Sequence, residues 1–192
     1  MKTFLSRKVH HLIGGSLLLL FTACSSVLPQ PQTDTTRHFT LAGPTGTAAV
    51  SNGTRVQPVQ VAGHLRSRSM AVRIAENEVI YLDDVVWAEA LADGITQTLR
   101  NRLASIASDA VVSVQIQRCE LDRAAGNTVQ LIATYTITSS GAGGPPVETR
   151  GQFSASPRTW DGKDYGALVA LLREAVSELA DRLVTQLAEN RR

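Results

Sequence analysis

Residues 128–137, TVQLIATYTI, set Val129, Leu131, Ala133, Tyr135 and Ile137 at every second place, the period of a strand with one face on a core. The same two-residue beat runs through SMAVRIA, with Met70, Val72 and Ile74 opposite Arg73. It returns in VVSVQIQRCEL, with Val112, Val114 and Ile116, and in VETRGQFSA, where Val147 and Phe153 oppose Glu148, Arg150 and Gln152. Two shorter strands are expected at residues 37–41 (RHFTL) and 56–62 (VQPVQVA), with Pro58 suited to an edge. One apolar and one polar face per strand argues for a sheet covered on one side only.

Two helical periods supply the cover. From residue 85 to 106, Trp87, Leu91, Ile95, Leu99, Leu103 and Ile106 form a slowly drifting stripe, with Glu89, Asp93, Gln97 and Arg100 away from it. Asp83 or Asp84 offers an N-cap to this helix. From residue 164 onward, Tyr165, Leu168, Val169, Leu172, Val176, Leu179, Leu183 and Leu187 form a second stripe. Asp161 and Asp164 stand at its positive end, and Arg191 and Arg192 at its negative end. The expected fold is a two-layer α/β domain: a mixed, mostly antiparallel sheet with two amphipathic helices packed on one face.

The N-terminus has a different pattern. Lys2, Arg7 and Lys8 are the only charges before Cys24, and residues 12–23 are apolar or small. That run is too short for a comfortable bilayer span, which takes roughly 20 apolar residues. It reads as a secretory signal, residues 1–23, cut between Ala23 and Cys24. Residues 24–36 follow as a tether with two prolines and almost no core-forming pattern. Residues 25–36 alone reach about 40 Å when extended at ~3.3 Å each. A single domain occupies residues 37–192, interrupted by a loose stretch at 43–53 and a Gly-rich turn at 141–146. The latter lacks the Lys-Ser/Thr and following helix of a phosphate loop.

Losing the leader changes the charge. The 19 basic residues fall to 16 against 17 acidic, so the formal charge moves from +2 to −1. No basic stripe interleaved with aromatics remains, which argues against nucleic-acid binding. Cys24 could be buried, bridged, reactive or modified. Cys119, the other cysteine, lies in a strand pattern and reads as a small, half-buried thiol. His38 and His64 have no cysteine or carboxylate at ligand spacing, so no metal or cofactor is expected. There is no G-x-S-x-G, and no enzyme is expected.

Phe21-Thr22-Ala23-Cys24 resembles a bacterial lipobox, with Phe21 departing from the usual Leu or Val. That resemblance implies a diacylglycerol thioether and an acylated amino group on Cys24. Two or more acyl chains anchor stably where one binds marginally. By the enterobacterial sorting rule Ser25 directs the chain to the outer membrane, the inner membrane remaining open. The mature chain also resembles the PqiC family, the ABC-type transport auxiliary lipoproteins. The resemblance is carried by Arg66-Ser67-Arg68, Ala71-Val72-Arg73, Asn77-Glu78-Val79-Ile80-Tyr81 and Val86-Trp87-Ala88-Glu89-Ala90-Leu91. Ala90 and Val86 stand where family members usually carry Pro and Arg. The resemblance implies a non-catalytic, periplasm-facing subunit beside an MCE-domain protein, a mammalian-cell-entry-type carrier of lipid between membranes.

Within that reading the candidate partner contacts are Trp87, at the edge of its helix stripe and either half exposed or packed over the sheet edge as part of the core, Glu89, a solvated charge or a partner of Arg68 or Arg73, and Leu171, off the main stripe of the last helix and either an isolated exposed leucine or a contact to a second protomer or a lipid. Trp160 is expected to pack on the start of the last helix, and Tyr81 to lie in the core. The rival is a lipid-binding carrier or lipoprotein chaperone. A carrier needs an apolar cavity of several hundred Å³, whereas a docking subunit can be solidly packed.

Overall fold

The computed structural model describes residues 33–43, 54–139 and 145–190. The chain divides into two compact units, Met1–Thr35 and Thr36–Arg192, and every strand and helix below belongs to the second. The leader, Ala23, Cys24, most of the tether, the loose segments and the two terminal arginines lie outside the described residues.

The strands are β1 (Arg37–Phe39), β2 (Arg55–Val56), β3 (Gln60–Val61), β4 (Ser69–Ala75), β5 (Glu78–Trp87), β6 (Val111–Asp122), β7 (Thr128–Ser139), β8 (Val147–Ser154) and β9 (Arg158–Thr159). They form one mixed sheet in the order β1-β5-β4-β6-β7-β8. Helices α1 (Leu91–Leu103) and α2 (Tyr165–Glu189) pack on each other, α1 also on β2 and α2 on β6, β7 and β8. The two-layer α/β architecture is the one the periodicity predicts.

The alternation in β7 is kept throughout. Val129, Leu131, Ala133, Tyr135 and Ile137 are all buried. In β6 the beat changes phase. Val112, Val114 and Ile116 face the core, a register shift follows between Ile116 and Arg118, and then Cys119 and Leu121 face it. One extra residue in a strand turns every later side chain to the other face. Arg118, Glu120 and Asp122 therefore line the face away from the helices.

β2, β3 and β4 all use one edge of β6, in parallel, at Val56↔Val112, Val61↔Ile116 and Val72↔Leu121. Pro58 falls between β2 and β3, where it interrupts no ladder. Gly151 of β8 stands opposite Tyr135, and a Cβ there would collide with the tyrosine ring. The ring fills the place a side chain would take.

α2 is capped by Asp164, whose carboxylate accepts from the Gly166 and Ala167 N–H groups. Its stripe from Leu168 to Leu187 is buried. Each such aliphatic side chain contributes about 1.5–3 kcal/mol on burial, far more than helix propensity does. Trp160 packs as expected: its Nε1–H donates to the Asp164 carbonyl at 2.9 Å and its ring lies 5.2 Å from that of Tyr165.

The start of α1 differs from expectation. Residues 78–87 form a strand, so Asp83 and Asp84 are exposed strand residues and the N-cap is Ala90, with no side-chain cap. The cause is β pairing. β5 pairs with β4 along Ala71↔Tyr81, Val72↔Ile80 and Arg73↔Val79, then bulges before Ser69↔Val86. The bulge returns Val85 and Trp87 to the core, while Tyr81 stays on the open face, 44% exposed rather than in the core. Val147 also departs from expectation, 57% exposed near the end of β8 despite sharing Phe153's face.

Candidate functional site

The residues singled out as partner contacts occupy three different settings. Trp87 ends β5, is 3% exposed and pairs with Phe39 of β1. It belongs to the core, not to a half-exposed helix edge. Glu89 lies in the loop before α1, half-buried, where its carboxylate accepts from the Ala42 N–H at 3.4 Å. Among the described residues it pairs with neither expected arginine; Arg73 goes to Glu120 instead. Leu171 is partly buried on α2 and packs against the core's rim.

Sequence spacing gives no hint of the chemistry the fold assembles on the open face. Glu120 has a fully buried side chain whose Oε1 accepts from Arg73 Nε at 2.7 Å and Arg118 Nε at 3.0 Å. Its Oε2 lies 2.9 Å from His64 Nε2, brought over by the 3-10 turn Gly63–Arg66. Arg118 also holds Asp122 at 2.7 Å. Burial opposes the Arg118 charge, yet the bonds to Asp122 and Glu120 hold its guanidinium above the ordinary value. Burial likewise acts to raise Asp122, but Arg118 and the Ala125 N–H outweigh it and leave the carboxyl below the usual range.

The neighbouring Cys119 points the other way, into the core. Burial, with Glu120 beside it, pushes the thiol up to about 12, so it carries almost no thiolate at neutral pH. The cluster sums to zero with His64 neutral, and every buried polar side-chain atom among the described residues has a partner. It clamps the turn, β4 and β6 together. Sequence reasoning missed it because the β6 bulge that gathers its members leaves only a change of parity in VVSVQIQRCELD.

A groove of about 300 Å³ runs between α1 and α2, lined by Ala42, Gly43, Thr98, Asn101, Arg102 and Arg173, among others. Both arginines are engaged. Arg102 is forked onto Asp181 at 2.7 and 3.0 Å, and Arg173 donates to the Leu41 and Thr40 carbonyls. Among the described residues no group of His, Cys, Asp and Glu has the arrangement of a metal site, and no helix is long and apolar enough to cross a membrane.

Residues 39–184 match the family of ABC-type transport auxiliary lipoprotein components, and the chain belongs to that family. It is a family of transport auxiliary components. Two solved structures share the fold. One is a crystal structure of an uncharacterized protein, 10% identical with a TM-score of 0.60, covering 79% of this chain and 97% of its own. The other is a Xanthomonas campestris protein, 19% identical with a TM-score of 0.60, covering 77% and 92%. A putative lipoprotein from Caulobacter crescentus is more distant, at 13% identity and a TM-score of 0.32 over 61% and 90%. No curated protein matches.

Proposed function

We propose that this chain is a lipid-anchored, periplasm-facing accessory subunit of an ABC/MCE-type envelope lipid-transport system, docking the assembly at the membrane. The observation that carries the reading is membership of the auxiliary lipoprotein family over residues 39–184, behind a lipobox-like Phe21-Thr22-Ala23-Cys24. Cys24, freed by cleavage after Ala23, takes the acyl groups, and residues 24–36 hold the domain away from the headgroups. The outer membrane is the proposed site of anchoring.

The mechanism is physical rather than chemical. Acylation confines the domain to a surface and raises the local concentration available to an MCE-domain partner. Glu89 and Leu171 are the proposed contacts, with Trp87 acting from beneath by fixing β5 against β1. The inter-helix groove favours docking over carriage, because it is at the lower limit of ligand sites and its arginines are committed to the fold.

The experiment is Cys24→Ser, followed by fractionation and mass spectrometry of the mature chain. The variant is expected to fold and to leave the membrane fraction, while the parent carries acyl mass on its first residue. A parent chain with an unmodified thiol at Cys24 overturns the anchor. Separately, Glu89→Ala and Leu171→Ala are expected to weaken pull-down of an MCE-domain partner without lowering Tm by more than a few degrees.

A further inference from the structure

The sheet ends differently on its two sides. One edge is β1, three residues long. The other is β8, eight residues long, paired among the described residues only to β7 and exposed over most of its length. A strand edge of that length offers a row of unpaired N–H and C=O groups to another strand.

We infer that β8 pairs antiparallel with β8 of a second copy of this chain, about a two-fold axis at Thr149. The side chains select the register. With Thr149 opposite itself, Glu148 faces the other copy's Arg150 and Arg150 faces its Glu148, where opposite charges stabilise a cross-strand pair. Moving the axis to Glu148 or Arg150 puts like charges opposite each other. The same register sets Val147, one of the two exposed large hydrophobic residues among the described residues, against the other copy's Gly151, whose Cβ place is taken by the Tyr135 ring.

Within one copy Arg150 Nε lies 2.8 Å from Glu148 Oε1. Pairing extends this bond into a four-charge ladder across the axis. Pro146, which has no N–H, ends the new ladder opposite Gln152, so five residues of each copy pair. That is too short for a large interface, and the association is weak and concentration-dependent.

The test uses cysteine substitutions in the full chain and air oxidation at high protein concentration. Thr149→Cys brings its own symmetry mate to the separation of opposed residues, with Cβ atoms about 4.5–5.5 Å apart. It is expected to form a disulfide-linked dimer on a non-reducing gel. Gln152→Cys, away from the axis, is the control, and Cys24 and Cys119 contribute equally to both. In sedimentation, Arg150→Glu alone is expected to raise the dimer dissociation constant about tenfold, and Glu148→Arg with Arg150→Glu together to restore it. Equal crosslinking at 149 and 152, no crosslinking at 149, or a double reversal that fails to restore association while thermal stability is unchanged overturns the proposal.

Discussion

Glu120 divides its two carboxylate oxygens between partners of different kinds: Arg73 and Arg118 share Oε1, and His64 alone meets Oε2. Three separate elements thus meet on one side chain with no exposure. Removing one member of a buried ion cluster leaves the others desolvated, at a cost of about 3–5 kcal/mol. Glu120→Leu is expected to lose that much in urea denaturation at pH 7, and His64→Ala much less because the imidazole is partly exposed.

Acid is expected to weaken the domain through specific carboxylates. Asp122 is held low by Arg118 and the Ala125 N–H against the opposing effect of burial, and Glu178 by Arg158 and Ser156, again against burial. A carboxyl depressed in the folded state stabilises the fold above its unfolded pKa, about 4 for these residues, and that share disappears as pH falls through the folded value. Tm measured from pH 6 to pH 2 is therefore expected to drop below about pH 4, and Asp122→Asn is expected to flatten part of that drop.

Gly151 is required by the Tyr135 ring rather than by backbone conformation. Gly151→Ala drives a methyl into that ring, and overpacking of this kind costs about 1–3 kcal/mol. Chemical denaturation is expected to show most of the loss recovered in Tyr135→Ala/Gly151→Ala relative to the sum of the single changes, since the two residues share one space.

Cys119 is expected to be silent toward thiol reagents. In a Cys24→Ser chain at pH 8, a soluble disulfide reagent should label no thiol in the folded state and one after unfolding, read by absorbance. Rapid labelling of the native chain contradicts the burial and the raised pKa.

The sequence made the domain's covered side easy to read. The stripes of α2 and β7 have one period from end to end, and nothing in the fold resets it. What escaped were the places where a bulge resets the phase. β5 reads as the start of a helix because Trp87, Leu91 and Ile95 fall at helical spacing. The insertion between Tyr81 and Val86, which makes 78–87 a strand, depends on pairing with β4, not on local preference. The Glu120 cluster was hidden for the same reason: its members come from the 3-10 turn, β4 and β6, and only the shifted register of β6 aims them at one point.

The serial use of one edge of β6 by β2, β3 and β4 has a consequence for how the molecule is assembled. β4 can mate early with β5, but among the described residues β2 and β3 find their template only in Val111–Asp122, and that strand in turn is steadied by β7. A polypeptide emerging from its amino end must therefore wait, with β2 and β3 unmated, until the later hairpin arrives to receive them.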